Sequence, residues 1–128
     1  MIRPANLRQD WPRVSLLLER CIAKTDEPWW PEDVYASVAN GKSAMWVSDD
    51  PAGVLVAYPD REEWTQDMVL HVWIVACDDM AALEHEAYTV LAEAARKIGA
   101  KKLVMDSPRT GWQRNGWAVR RYTYERSL

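Results

Sequence analysis

Apolar and polar positions follow two periods along this chain, and their order defines an architecture. Ile2-Arg3-Pro4-Ala5 suits a short opening strand. Asp10 is placed to cap a helix with Pro12 in its first turn. Val14, Leu17, Leu18 and Cys21 then fall at i, i+3, i+4 and i+7, one apolar helical stripe. Residues 25–30 break that period. Pro31 opens a second helix, with Val34 and Val38 one turn apart and Asn40-Gly41 as its stop.

Residues 44–48 and 54–58 read as strands joined by the five-residue turn Asp49-Asp50-Pro51-Ala52-Gly53. Residues 59–66 are polar and suit an exposed segment. Residues 68–76 are almost continuously apolar, as expected of a central strand covered on both faces. Leu83, Ala87, Val90, Leu91, Ala94 and Ile98 form the longest helical stripe, over 80–98, and Gly99 ends it. Residues 102–105 suit a short strand, 110–115 a helical turn or two, and 119–125 a closing strand. The predicted order is β-α-α-β-β-β-α-β-α-β. Three strands in hairpin succession followed by a strand–helix–strand crossover make an α/β (α+β) domain, a mixed sheet with helices on both faces.

The 128 residues give one domain, 1–128, with a single core and little room for a second module. No apolar run approaches the roughly 20 residues that span a bilayer, which points away from the membrane. Met1-Ile2-Arg3-Pro4 has no apolar signal core, so a cytoplasmic location is expected, with Cys21 and Cys77 as reduced thiols. The net charge of −3 hides an asymmetry: residues 1–95 sum to −10 and residues 96–128 to +7. Either the charges are spread over solvated faces, or an acidic half and a basic end each meet a partner.

Several residues carry candidate chemistry. His71 lies in the central strand with Val69, Trp73 and Val75 on its face, and is either a general base or a hydrogen-bonded core histidine. Glu62, Glu63 and Asp67 border that strand as further candidate bases or as solvated loop carboxylates. Asp78, Asp79, Glu84, His85 and Glu86 crowd the start of the long helix without any recognised ligand spacing, so no metal is expected. Cys77 has two neighbouring carboxylates that oppose thiolate formation, and it is not read as a nucleophile. Eight tryptophans accompany no phenylalanine. Trp29-Trp30 lies between prolines in an interhelical loop, either anchoring a ligand or protein partner or folding back over the sheet. Arg109, Arg114, Arg120, Arg121 and Arg126, with Tyr122 and Tyr124 interleaved, have the composition of a nucleic-acid surface but no accompanying motif. A protein partner or self-association is the preferred expectation over nucleic acid.

Local words join this element order in resembling a known family. Ile2-Arg3-Pro4-Ala5 with Asp10, the strand and turn Trp46-Val47-Ser48-Asp49-Asp50 with Gly53 and Val54, and the closing Trp112-Gln113-Arg114-Asn115-Gly116-Trp117 are similar to the GNAT superfamily of acyl-CoA-dependent N-acetyltransferases. The resemblance covers essentially the whole chain. It implies a turn after the fourth strand patterned Gln/Arg-x-x-Gly-x-Gly/Ala, whose backbone N–H groups hold the cofactor pyrophosphate at a helix N-terminus.

The corresponding segment here is Cys77-Asp78-Asp79-Met80, with no glycine and two carboxylates. Like charges about 4 Å apart repel by roughly 4 kcal/mol at an effective dielectric near 20, about three orders of magnitude in affinity. The resemblance also implies an acidic tyrosine at the position of Trp112, whose indole is no acid near neutral pH. Its interhelical loop, holding Trp29 and Trp30, would border the acceptor pocket, and His71 would stand where a base often projects. The chain thus resembles a GNAT domain that has lost acetyl transfer, and no cofactor is expected. Acetyl-CoA is expected only if the atypical loop still works. Small GNAT-like proteins of tailed bacteriophages, virion components among them, are similar, which implies a binding or assembly role and a possible setting within a phage particle.

Overall fold

A computed structural model describes residues 1–107 and 111–128. The elements are β1 (Ile2–Pro4), α1 (Leu7–Thr25), α2 (Pro31–Ala39), β2 (Ala44–Asp49), β3 (Ala52–Arg61), β4 (Met68–Cys77), α3 (Met80–Lys97), β5 (Leu103–Val104) and a 3-10 turn, Trp112–Asn115. They form a five-stranded sheet in the order β1-β2-β3-β4-β5. The first four strands are antiparallel and β5 runs parallel to β4 after the α3 crossover. This is the mixed α/β sheet that the patterning implies.

The core has two halves, one on each face of the sheet. Val14, Leu17 and Leu18 of α1 and Val34 of α2 pack on Met45, Val47, Val54, Val56, Ile74 and Ala76. On the other face Ala87, Leu91 and Ala95 of α3 pack on Leu55, Ala57, Leu70 and Val72. The alternation of the strands sends successive side chains to these two layers.

Local geometry departs from the sequence reading in four places. Asn6, not Asp10, caps α1, its side chain accepting from the Gln9 N–H at 3.1 Å. Asp10 is buried inside the helix, and Pro12 follows it in the second turn. The β2–β3 hairpin is tighter than five residues, since Asp49 and Ala52 already pair. A bulge in β4 sets Val56 opposite Ile74 but Ala57 opposite Val72, so Trp73 is the unmatched residue. The bulge reverses the phase of the strand, and Val75 turns to the α3 face instead of sharing the face of His71.

The fourth departure is the C-terminus. Residues 117–128 form no strand and are largely exposed. Among the described residues the period-2 pattern of 119–125 finds no ladder partner, because β5 is two residues long and no described strand pairs with its outer edge. The expected turn over 110–115 condenses to Trp112–Asn115, with Thr110 outside the described residues.

Candidate functional site

The sheet splays where the crossover returns. Among the described residues β4 and β5 share the pairs Leu70–Leu103 and His71–Val104, and β4 has no ladder partner on that side from Val72 onward. The opening is lined by residues 72–75, Met105, Asp106 and Ser107, with Cys21, Thr25, Glu27 and Trp29 from the α1 side and Trp112 across it. The pocket measures ≈ 40 Å³ and shares Glu27, Met105, Asp106, Ser107 and Trp112 with a larger groove beside it. The Trp112 indole N–H donates to Ser107 Oγ at 3.0 Å.

At the upper end of β4 lies the short turn into α3. Cys77 ends the strand opposite Gly53, and the Asp78 N–H donates to the Ala52 carbonyl at 2.9 Å. Asp79 is the N-cap of α3, its Oδ1 accepting from the Ala82 N–H at 3.2 Å. Met80 begins the helix, its Sδ 3.9 Å from Cys77 Sγ. Asp78 Oδ1 lies 3.4 Å from an Arg20 guanidinium nitrogen, both side chains about half exposed. One amide of the helix end is thus already satisfied by a carboxylate, and a second carboxylate stands beside it. Arg20 offsets part of the Asp78 charge, but solvent screens so exposed a pair.

These residues do not fit a pyrophosphate. A phosphate group is held at a helix N-terminus by free N–H groups and positive potential. Here the capping carboxylate competes for the first and cancels the second.

His71 sits lower on β4, within a row of aromatic rings. Its imidazole stacks on Tyr58, centroids 4.9 Å apart and planes within 8°. Tyr58 meets Trp73 edge-on at 6.1 Å, and Trp73 meets Trp29 edge-on at 6.0 Å. His71 Nε2 lies 3.8 Å from Asp106 Oδ2, beyond hydrogen-bond range. Burial raises the Tyr58 phenol above its ordinary value, with smaller contributions from Asp60 and Asp106. His71 thus has an aromatic face against Tyr58 and the Asp106 carboxylate within 4 Å.

The remaining candidates fall in different places. Glu62 accepts from Lys102 at 3.0 Å and from Arg120 at 2.6 Å, and Asp67 pairs with Lys101 at 3.2 Å, so both are engaged at the sheet edge. Glu63 is exposed in the β3–β4 turn. Glu86 accepts from the Ile2 N–H at 2.6 Å. Among the described residues no three His, Cys, Asp or Glu side chains converge as a metal site. Trp29 is 9% exposed and belongs to the core, whereas Trp30 is 69% exposed. The expected Trp29-Trp30 surface is therefore corrected to Trp30 alone, with Trp29 reaching only the cleft wall. Arg114 and Arg126 are exposed, Arg120 is held by Glu62, and Arg109 lies outside the described residues.

Sequence reasoning did not single out Tyr58, Arg20 or Trp64. Tyr58 becomes a neighbour of His71 only through the β3–β4 register, which depends on the bulge. Trp64 could have been found as a large aromatic in an otherwise polar segment.

The five-stranded mixed sheet with helices on both faces is a GNAT-like fold. The chain is similar over its full length to the tetramutant of the BH1408 protein from Bacillus halodurans, at 14% identity and a TM-score of 0.79 with 99% of that chain covered. A ribosomal-protein-alanine N-acetyltransferase from Brucella melitensis biovar Abortus 2308 matches at 19% identity and 0.71, covering 100% of this chain and 99% of that one. Glucosamine-6-phosphate N-acetyltransferase from Arabidopsis thaliana matches at 12% identity and 0.71, covering 100% and 97%. No protein-family model matches the sequence, and no curated protein matches it.

Proposed function

We propose that this chain is a GNAT-fold domain that acts by binding or assembly and does not transfer acetyl groups. The observation that carries this reading is Asp79 capping α3 with Asp78 beside it, where the fold would present free amides to a pyrophosphate. The indole of Trp112, where the resemblance implies an acidic phenol, supports it further. A protein surface, foreign or of another copy, is then the partner. We infer assembly into a multi-copy particle, such as a phage virion, as the setting of this binding.

One observation favours a second reading, an acetyl-CoA-dependent N-acetyltransferase with an atypical cofactor loop: His71 retains Asp106 as a nearby carboxylate at the cleft. Calorimetric titration of the full chain with acetyl-CoA separates the two. Binding domain status predicts no measurable heat of binding up to millimolar ligand. A low-micromolar Kd would replace it with the enzyme. Asp78→Gly with Asp79→Gly should partly recover affinity, because it removes both the competing cap and the repelling charge.

A further inference from the structure

The turn between β3 and β4 is built to hold one large side chain out of the molecule. The Glu62 N–H donates to the Asp67 carbonyl at 2.9 Å and the Gln66 N–H to the Glu62 carbonyl at 2.9 Å. Gln66 also bonds the Glu63 carbonyl through its amide at 2.8 Å, and the Arg61 guanidinium bonds the Gln66 carbonyl at 2.9 Å. Gln66 adopts a left-handed backbone, φ 62°, to close the turn. At its tip Trp64 is 89% exposed. A side chain of this size on an internally bonded turn loses little entropy on docking, and tryptophan is the residue that most often anchors a protein interface.

A receptor of complementary character lies directly beside it. A groove of ≈ 1080 Å³ runs between α3, the unpaired edge of β5 and residues 117–123. Its wall is apolar at Ala92, Leu103, Trp117 and Val119. Its charged lining is Arg96, Lys101, Lys102, Arg120 and Arg121, against Glu27 and Asp106. The turn has the opposite balance, with Asp60, Glu62, Glu63 and Asp67 against Arg61. The two features are contiguous, since Glu62 touches Lys102 and Arg120 and Asp67 touches Lys101 within one copy. Among the described residues Asp60 and Glu63 on the turn, and Arg96 and Arg121 in the groove, make no ion pair.

We propose that two copies dock about a two-fold axis, the Trp64 turn of each entering the groove of the other. Adjacent knob and groove make one self-complementary patch, which is what an isologous interface requires. A closed pair satisfies both patches and leaves the unmatched charges of the turn facing those of the groove. Charge would set register and encounter rate, and the indole would supply the affinity. This deepens the binding reading by naming a second copy as the partner. The acetyl-CoA titration remains a separate test of that reading.

Sedimentation velocity of the full chain at low ionic strength tests the docking. The wild type should form a dimer that weakens as salt rises. Trp64→Ala should weaken it by at least about tenfold without lowering the melting midpoint, because the residue is exposed. Arg96→Glu with Arg121→Glu should do the same. Leu16→Ala, at an exposed position on the opposite face of the sheet, should leave the dimer intact. A wild type monomeric up to about 100 μM, or a dimer that Trp64→Ala leaves unchanged, would overturn the proposal. Equal loss in Leu16→Ala would also overturn it.

Discussion

Arg3 grips Asp10 through two parallel hydrogen bonds of 3.0 and 2.9 Å, tying the first strand to the first helix. The Asn6 N–H adds a third bond to the same carboxylate at 2.7 Å. Asp49 extends the network from the β2–β3 hairpin, bonding both Arg3 and Arg13. Asp10 is 4% exposed, so its charge depends on these partners for compensation. The Arg3 fork, opposed by burial and helped by Asn6, holds its carboxyl down at about 2.

That depressed value predicts an acid-sensitive stabilisation. An aspartate ionises near 4 in an unfolded chain. The contribution of Asp10 is therefore fully present above about pH 4 and is lost as pH falls towards 2. Asp10→Asn should lower stability at neutral pH by about 2 kcal/mol, the usual worth of hydrogen bonds to a charged group. The gap between variant and wild type in urea unfolding should shrink between pH 5 and pH 2.5. A gap of constant size across that range would mean that the carboxylate charge contributes nothing.

Most of the fold was legible because periodicity reports burial. The stripe Val14, Leu17, Leu18 and the run Leu83, Ala87, Leu91 are all buried, and the crossover order followed from them. Long-range facts were not legible. Asp10 has the composition of a cap, but Arg3 recruits it and leaves Asn6 to do the capping. The bulge at Trp73 has no local signature, so Val75 was read onto the wrong face. Residues 119–125 alternate as a strand would, yet alternation specifies a ladder only where an edge is close enough to pair. At the candidate site the charge of Asp78 and Asp79 was readable directly. The stacking of His71 on Tyr58 was not, because it depends on register.

The pair Trp29-Trp30 shows the same divide between composition and context, and it yields a prediction. Trp29 packs edge-on against Trp73 within the core, while Trp30 projects from the start of α2. Trp29→Ala should cost about 3–5 kcal/mol and lower the melting midpoint by more than about 10 °C. Trp30→Ala should stay within about 0.5 kcal/mol of wild type, as surface substitutions do. Thermal melts of the two single variants check this. Similar midpoints for both would mean that Trp29 is not a core residue.

Glu62 provides the last prediction, because among the described residues it is the one that ties the C-terminal segment to the sheet edge by charge. It accepts from Lys102, just before β5, and from Arg120, and these bonds, Lys102 first, hold its carboxyl below the ordinary glutamate range. Arg120 is the first of two adjacent trypsin sites, Arg120 and Arg121, in a stretch without regular structure. Cleavage there requires the segment to lift from the edge. Glu62→Gln keeps the size of the side chain but removes the charge that both cations share. Tryptic cutting after Arg120 and Arg121 should then accelerate by about two- to fivefold, the modest scale expected of exposed ion pairs. The global melting midpoint should hardly move, since the core of the sheet is untouched. Limited proteolysis followed by mass spectrometry measures both sites. An unchanged cutting rate would show that Trp117, packed against the α3 layer, holds the segment without help from Glu62.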